Sequence, residues 1–549
     1  MSASLNIATR ALTTNLAALQ VVGNNIANVN TEGYSRQNVA LKTSGYQERS
    51  NGFFGQGVEI ATVTRNHDAY LTREANAAKS VASADGMRLS KLKQLEDLFP
   101  TGPTGLGASM NSMLNAWNDV ASAPSNLTAR TVVLARGDEF AARVRTTAAQ
   151  LDQQQLGTEL QVESTVKSVN RLAQDLAAVN QRILDTPRSG NTPNDLFDQR
   201  DQLISELNRY VQTSTVPSEN GAVSVFISGS QPLVLGATAN QLAFPAGTSP
   251  RELQFVQGST TIPINHKQLG GGELVGLMTF LRDDLGAMKG QLDQLAFDLA
   301  TEVNAQHRLG MGLDGVAGRD FFVEPTAATG AAKNLQMALT ATAPGQLAAA
   351  SPVLVTPAAT NSSGLSVEQM SAVSASAALA NEVTISFQAN GTYTVNDTTA
   401  GTTASGNAYI PGQPINVNGW SLTLRGSPGT GDSFTVQPAP VGSVRQNAGN
   451  ANAILALRDK AMANGVPLAD GYVSVISSLG TQVQSAKFAA EFTSQVATST
   501  EGARSSQAGV NLDEEAARLL QFQQSYQASA KFLQIAQSTF DTLLQTVGR

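Results

Sequence analysis

The 549-residue chain contains no cysteine. Disulfides, thiolate metal ligands and cysteine nucleophiles are therefore excluded in any cellular compartment. Only three histidines are present, His67, His266 and His307, and they are far apart, without the i, i+4 spacing that a helical zinc site uses. These absences argue against a metal centre and against a cysteine-based enzyme.

Long apolar runs and basic clusters are also missing. No stretch approaches the length of a membrane span, and the N-terminus lacks the pattern of a cleaved signal peptide. Lys and Arg number 36 against 43 Asp and Glu, which gives a formal net charge of -7. Nucleic acids and anionic membranes are recognised by clustered cations. We therefore expect no nucleic-acid binding and no membrane insertion, and any export would proceed without a cleaved signal.

Two patterns that resemble chemical sites have simpler interpretations. Asp195, Asp198 and Asp201 stand beside Arg200 in the first turns of a predicted helix, where carboxylates usually act as caps and dipole partners. The run 270–272 is Gly-Gly-Gly but lacks the following Lys and Ser or Thr of a phosphate-binding loop, so it predicts a flexible joint. We predict no catalytic, cofactor or metal site, and hence a protein that is not an enzyme.

Apolar residues recur every seven positions at both ends of the chain. They are Leu5, Leu12, Leu19 and Ile26 at the start, and Leu512, Leu519, Tyr526, Leu533, Phe540 and Val547 at the end. This spacing places one apolar stripe along each helix, and the stripe must be buried against another helix or another copy of the chain. The sequence therefore predicts coiled-coil packing at both termini.

The other faces of these two helices carry few charges. Arg10 is the only charged residue before Glu32, and after Arg518 only Lys531, Asp541 and Arg549 remain. Neutral polar faces suit helices that neighbours cover on most sides, because burying Ser or Gln with a hydrogen bond costs less than burying an unpaired charge. We interpret the stripes as subunit-packing surfaces. The alternative is an intramolecular two-helix hairpin with solvated backs, and both interpretations pair the N-terminus with the C-terminus.

Between the ends, the pattern changes from helical to β-like and back. Stripes over 162–183 and 274–299 predict long helices, whereas the two-residue alternation at 223–227 predicts a strand. In the low-charge stretch 326–438, Asn390-Gly391 and Asn418-Gly419 each fit a type I′ hairpin turn. For the stretch 348–380, the composition does not decide whether the chain is partly helical or loosely ordered.

We predict an α+β multidomain fold. Paired terminal α-helices form a coiled-coil stalk, a helical second domain follows, and β-rich outer domains are inserted between the N- and C-terminal halves. The predicted domains are a terminal helical assembly domain (1–60 and 505–549), a mainly helical stalk domain (61–215, 270–325 and 441–504), a small β-rich domain (216–269) and a variable Ala/Thr/Ser/Gly-rich β outer domain (326–440).

The segment after the first predicted helix is rich in Asn and Gly, which tolerate left-handed backbone, so it predicts a helix exit that turns into an extended segment. Its motif positions are Asn28, Asn30, Thr31, Gly33, Tyr34, Ser35, Arg36 and Gln37. Together with the preceding run Asn24-Asn25-Ile26-Ala27, this motif resembles the N-terminal signature shared by bacterial flagellar rod, hook and hook-associated proteins. The Ser-Arg-Gln ending is more similar to the hook-associated protein 1 family than to hook proteins.

Three later motifs resemble the same family in the same order. They are Pro193–Leu203, the residues from Asn304 to Phe322 around Asp314-Gly315, and the C-terminal pair Gly509–Glu515 with Phe522–Tyr526. The stretch 326–438 carries little of this resemblance. Asn511 is also predicted to cap the last helix, with Glu514 reaching back as in a capping box.

The resemblance implies a structural adapter at the junction between the flagellar hook and filament. It further implies export through the flagellar type III system, an extracellular location in the flagellum, and assembly as a ring, a homo-oligomer. The implied partners are the hook protein, a second hook-filament junction protein, and a cytoplasmic export chaperone that binds the C-terminal region. Segment 28–37 would then fix the turn that aims the stalk.

Three alternatives remain open at this point, and one of them is an enzyme, which purified protein without hydrolytic or metal-dependent activity would exclude. The other two are structural or binding proteins. One is another flagellar axial subunit, from the hook or the rod. The other is a secreted adhesin that binds through the outer β domain.

Overall fold

The computed structural model describes residues 2–31, 33–49, 52–186, 192–247, 251–461, 465 and 467–547. The chain divides into two compact units. Unit 1 comprises 1–91, 157–282 and 484–549, and unit 2 comprises 92–156 and 283–483.

The described helices are α1 (Ser2–Ala27), α2 (Ala69–Glu96), α3 (Leu106–Ser122), α4 (Leu127–Asp185), α5 (Asn194–Tyr210), α6 (Glu273–Thr279), α7 (Leu285–Leu309), α8 (Ala331–Asn334), α9 (Gly449–Ala456), α10 (Leu468–Ala508) and α11 (Leu512–Val547). The first eleven strands are β1 (Gln37–Thr43), β2 (Tyr46–Arg49), β3 (Gly52–Gly55), β4 (Val58–Arg65), β5 (Ser214–Pro217), β6 (Val223–Ile227), β7 (Gln231–Leu235), β8 (Thr238–Ala239), β9 (Gln241–Ala243), β10 (Leu253–Gln257) and β11 (Thr260–Ile264). The remaining strands are β12 (Val353–Pro357), β13 (Ser366–Ala372), β14 (Val383–Phe387), β15 (Thr392–Asp397), β16 (Thr402–Ala408), β17 (Ile415–Val417), β18 (Trp420–Arg425) and β19 (Ser433–Pro438).

Unit 1 contains both terminal helices, and α1 packs against α11. Strands β1 and β4 form an antiparallel ribbon from Gln37↔Arg65 to Thr43↔Val58, and the hairpin β2–β3 continues it. A small β region follows α5, with a sheet ordered β5-β6-β7-β8 and a second ordered β11-β10-β9. The pairing predicted for the two chain ends is confirmed.

The glycine run 270–272 is tightly packed rather than a flexible joint. The amide of Gly272 donates to the Ser80 carbonyl at 2.8 Å, and the Gly271 carbonyl accepts from the Gln212 amide at 3.0 Å. A Cβ on Gly272 would lie 2.3 Å from the Tyr210 carbonyl oxygen, closer than two such atoms can approach. The interpretation as a flexible joint was wrong, because the lack of a side chain lets glycine backbone pack closely against other backbone as readily as it gives flexibility.

The two predicted long helices are present. The stripe over 162–183 lies within the 59-residue helix α4. The stripe over 274–299 spans α6 and α7, which are joined by a five-residue π-helical turn at Phe280–Asp284. The extra residue of a π turn shifts the helical phase, which periodicity alone does not detect.

Unit 2 contains the outer β domain, which is two facing sheets. One is ordered β12-β19-β14-β15-β16 and the other β13-β18-β17. Their inner faces share one buried apolar cluster, whose central members are Trp420, Phe434 and Ile385. The stretch 348–380, left open from sequence, contributes β12 and β13 to these sheets.

The two Asn-Gly pairs form different turns. Asn418 and Gly419 both have positive φ, 51° and 88°, and Val417 pairs with Trp420, as a type I′ turn requires. At the other site only Gly391 has positive φ, 75°, and the Gln388 amide bonds to the Thr392 carbonyl, which leaves a three-residue loop. The type I′ prediction is thus confirmed at the second site and wrong at the first.

The prediction of an α+β fold with paired terminal helices and a β-rich middle is confirmed. The finer division into four domains stays a prediction. None of the helices within the described ranges combines the length and hydropathy of a membrane span.

His307 is buried inside unit 2, where it connects two loops. Its Nδ1 lies 2.7 Å from the Arg319 carbonyl, and its Nε2 accepts from the Ala348 amide at 2.9 Å. The rings of Trp117 and Phe321 pack around it, with centroids 6.3 and 5.7 Å away. This geometry requires a neutral imidazole protonated on Nδ1. Burial, the largest effect, lowers the pKa of His307 to about 4.

We expect the stability of unit 2 to depend on His307 at acid pH. The folded pKa lies below the ordinary value of 6.5, so the unfolded chain binds the proton more readily. This contribution to stability is complete above pH 6.5 and is lost as the pH falls towards about 4. NMR titration of histidine-labelled protein should show one imidazole that stays neutral to about pH 4, and that signal should vanish in His307→Gln. Titration of the signal near 6.5 would contradict the buried neutral form.

Candidate functional site: a buried polar joint beside the terminal helices

The terminal helices pack antiparallel. Asn25, near the end of α1, bonds to Glu515, near the start of α11, and Asn15 donates to Ser529 Oγ at 3.3 Å further along. The fully buried apolar positions of α1 are Ala8, Ala18 and Val22. Small side chains at these positions let the backbone of α1 approach its neighbours closely.

The predicted stripe residues flank this contact rather than fill it. Leu5, Leu12, Leu19 and Ile26 on α1, and Leu519 and Leu533 on α11, are only half-buried. Leu512, Tyr526 and Phe540 are 51%, 36% and 38% exposed. The side chain of Val547 lies outside the described part of the chain. Each described stripe residue therefore keeps apolar surface that its own chain does not cover.

A cluster of polar side chains, here called the polar joint, lies where the two helices meet the segment 34–37. Its members are Asn25, Tyr34, Ser35, Arg36, Gln37, Arg65, Asp195, Asp198, Asp201, Glu514 and Glu515. All of them belong to unit 1.

Asn25 is the centre of the polar joint and is fully buried. Its amide nitrogen donates to the Gln37 carbonyl and to Glu515 Oε2, both at 2.9 Å. Its oxygen accepts from the Tyr34 hydroxyl at 2.8 Å and from the Gln37 amide at 3.0 Å. One side chain thus uses all its hydrogen-bonding capacity to hold α1, the exit segment and α11 together.

Arg36 provides the charge that Glu515 needs. Glu515 is fully buried, and Arg36 donates to its Oε1 through Nε at 2.8 Å, while Nη1 lies 2.7 Å from Glu514 Oε2. The Arg36 amide also donates to the Ala508 carbonyl at 2.9 Å. Burial lowers the pKa of Arg36, but its bonds to Glu514 and Glu515 outweigh that effect and raise the pKa.

Asn511 caps α11 as predicted, because its side chain accepts from the Asp513 amide at 2.9 Å. The predicted capping box is not formed. Glu514 pairs with Arg36 instead of reaching back to Asn511. A charged hydrogen bond to a buried guanidinium is stronger than the neutral bond of a capping box, so the tertiary partner prevails.

The acidic residues of α5 tie the exit segment to the ribbon. Asp198 accepts from the Ser35 amide at 3.2 Å and from Arg65 at 2.8 Å, and Arg65 also reaches Asp201 at 2.6 Å. Gln37 donates to Asp195 at 3.3 Å. The helix N-cap, Pro193, makes no side-chain bond. Asp198 and Asp201 are therefore ion-pair partners and Asp195 is a hydrogen-bond acceptor, rather than the caps that their position predicted.

The turn residues of the motif have local roles. Asn28 donates to the Asn24 carbonyl at 3.0 Å and accepts from the Thr31 hydroxyl at 3.1 Å. Gly33 has φ of 82°, and an added Cβ would lie 3.3 Å from the Gln202 side chain. Asn30 is exposed. Burial, followed by the charges of Asp198 and Asp195, raises the pKa of Tyr34 to about 12, so its hydroxyl remains a donor.

Sequence reasoning found the motif but missed several partners. Asn25 belongs to the run Asn24–Asn28 that carries the resemblance, but that run did not predict a buried side chain that joins three segments. Arg65 lies at the end of a strand, and no sequence pattern indicated that it would join this cluster. The carboxylates and cations of the polar joint are paired with one another, so the arrangement is suited to holding segments in place.

We expect Arg36→Ala to loosen the polar joint, because Glu515 would remain buried without its cation. Removing one partner of a buried ion pair costs about 3–5 kcal/mol. Hydrogen–deuterium exchange of the segment 35–38 and of the first turn of α11 should become faster. Arg143→Ala is the control, since Arg143 pairs at the surface with Glu139 at 3.0 Å and its loss should cost less than about 1 kcal/mol. Unchanged exchange in Arg36→Ala would contradict the role assigned to the ion pair.

Three family models match the chain. "Flagellar hook-associated protein FlgK helical domain" matches residues 92–322. "Flagellar basal body rod FlgEFG protein C-terminal" matches 503–546, and "Flagella basal body rod protein" matches 5–34. The last two matches cover α11 and α1 with the first part of the motif.

Some curated relatives match over nearly the whole chain, and another matches over a part of it. Flagellar hook-associated protein 1 of Escherichia coli (strain K12) is 29% identical over 578 residues, which cover 99% of this chain and 100% of the relative. The protein of the same name from Salmonella typhimurium (strain LT2) is 27% identical with the same coverage. That of Bacillus subtilis (strain 168) is 29% identical over 61% of this chain and 73% of its own length.

One solved structure shares the fold. The flagellar hook junction protein FlgK from Burkholderia pseudomallei superposes with a TM-score of 0.66, covering 79% of this chain and 100% of that chain at 22% identity.

Proposed function

The chain belongs to the flagellar hook-associated protein 1 family, and we propose that it is a structural adapter at the junction between the flagellar hook and filament. Its copies assemble through the terminal helices into a ring, a homo-oligomer. The relatives that match it are structural flagellar proteins rather than enzymes.

The incomplete burial of the terminal stripe supports this proposal most directly. Leu512, Tyr526 and Phe540 belong to the seven-residue stripe of α11 and are at least one-third exposed in the single chain. Fully burying such a residue stabilises by roughly 1.5–3 kcal/mol, and in the isolated chain the part of this gain that belongs to the exposed surface is not made. A ring of copies, with the hook protein on one side and the second junction protein on the other, would cover them.

We further propose that the chain travels through the flagellar type III system and that a cytoplasmic chaperone holds its C-terminal region beforehand. An amphipathic helix is marginal until its stripe is covered. The C-terminal helix would therefore be disordered during export and fold when it docks. This proposal gives the protein an extracellular location in the flagellum.

Deleting the gene tests the junction role. We expect cells with bare hooks and flagellin released as monomers into the medium, because filament subunits would have no template. Electron microscopy of the cells, together with sedimentation of the secreted flagellin, measures both, and a plasmid copy should restore filaments. Intact filaments in the deletion strain would contradict the adapter role and redirect attention to the outer β domain.

Leu533→Asp tests packing of the terminal stripe. Leu533 is half-buried on the α11 face directed at α1, so a carboxylate there should prevent incorporation while both sheets of the outer β domain remain folded. Incorporation is measured by blotting purified hook–filament preparations, and folding by protease resistance of the secreted chain. Gln534→Asp, on the adjacent exposed position, is the matched control and should incorporate normally. Normal incorporation of Leu533→Asp would refute the packing argument.

A further inference from the structure

The hairpin β2–β3 carries a group of exposed aromatic side chains, here called the aromatic tip. Its members are Tyr46, Phe53 and Phe54, which are 70%, 67% and 53% exposed. Tyr46 and Phe53 lie on one face of the hairpin, where their rings stack edge to face with centroids 5.1 Å apart, and Phe54 lies on the opposite face. This contact orders the rings but leaves most of their surface in water.

The ribbon that bears the aromatic tip runs along α1 towards the start of that helix. Thr14 donates to the Val58 carbonyl at 3.5 Å, and an added Cβ on Gly57 would lie 3.4 Å from the side chain of Ile7. The hairpin leaves the ribbon immediately after this point. The aromatic tip therefore extends from the end of unit 1 at which α1 begins.

At the same end, α11 extends past α1. Asn15 and Ser529 lie side by side, and from there α1 continues for about 20 Å to Ser2, whereas α11 continues for about 27 Å to Val547. Phe540 stands about 3 Å short of the level of Ser2, and Leu543 and Leu544 stand beyond it. These three residues, here called the α11 overhang, are 38%, 45% and 57% exposed. They continue the apolar face that α1 covers elsewhere on α11.

The exposed area indicates what these two features require. A large aromatic side chain buries about 150–250 Å², so the aromatic tip leaves on the order of 350 Å² of apolar surface in water, divided between the two faces of the hairpin. Stable interfaces bury about 800 Å² on each partner. The aromatic tip is thus too small to form an interface alone but is large enough to be one part of a wider contact.

Building on the proposed function, we propose that the aromatic tip of one copy packs on the α11 overhang of the next copy in the ring. The two features lie at the same end of unit 1, and both stay exposed in a single chain. A contact between two different surfaces of identical subunits is heterologous, which is the type that generates rings. The aromatic tip would supply the anchoring side chains, and the overhang the helical stripe that receives them.

The absence of cysteine from the chain permits a direct test by disulfide cross-linking. The double variant Phe54→Cys/Leu543→Cys, expressed in the deletion strain and oxidised in purified hook–filament preparations, should give dimers and higher ladders on a denaturing gel. Each single variant should remain monomeric. Phe54→Cys/Gln524→Cys, with the second cysteine on the opposite face of α11, is the matched control and should also remain monomeric.

Two outcomes would overturn the proposal. An intramolecular disulfide in the double variant would mean that the aromatic tip covers its own overhang. Absence of cross-links with both Leu543→Cys and Leu544→Cys partners would mean that the surfaces do not meet.

A second variant separates this proposal from the junction role. Tyr46→Ser/Phe53→Ser/Phe54→Ser removes only exposed rings, so the secreted chain should keep its protease resistance yet fail to restore filaments. Restored filaments with this variant would overturn the proposed contact while leaving the junction role intact. Failure of the unaltered chain to restore filaments would instead refute the junction role, and cross-linked ladders of Phe54→Cys/Leu543→Cys would still support the contact.

Discussion

Burial of Glu515 against Arg36 is the constraint on which the terminal region depends. A fully buried carboxylate is tolerable only when a cation and hydrogen-bond donors reach it, and here Arg36 and Asn25 supply them. Because Asn25 ends α1, Arg36 lies in the exit segment and Glu515 begins α11, three segments must arrive together before any of these groups is satisfied. The polar joint thus couples the direction of the terminal helices to the ribbon and to α5.

Beyond the polar joint, the terminal pair is stabilised differently. Small buried residues such as Ala8 and Ala18 let α1 approach closely, but they bury little apolar area, and the larger leucines stay at the rim. The pair is therefore well specified at one end and incompletely covered along its length and at the overhang. This incomplete burial fits a subunit whose remaining exposed apolar surface is covered by other copies.

Periodicity predicted the regular elements well, since an amphipathic pattern is a local property. The stripes over 162–183 and 274–299 lie in helices, and the alternation at 223–227 is the strand β6, as the pattern predicted. The errors occurred where one local pattern permits two structures. Gly270–Gly272 could be a joint or a close contact, and Asn390-Gly391 could occupy a two-residue or a three-residue loop. In both cases the surrounding packing decided which of the two structures forms. The same holds for Glu514, which pairs with Arg36 instead of forming the predicted capping box.

The amino-acid sequence by itself determined that the ends pair, that cysteine and metal-thiolate chemistry are absent, and which motif follows α1, because composition, spacing and resemblance are all carried by the linear order. Only the tertiary structure decided which side chains that are distant in the sequence come into contact. Arg36 and Glu515 are 479 positions apart, and no local pattern encodes their contact. It arises because a compact chain must neutralise every charge that it buries, and the partner is whichever opposite charge the fold brings within reach.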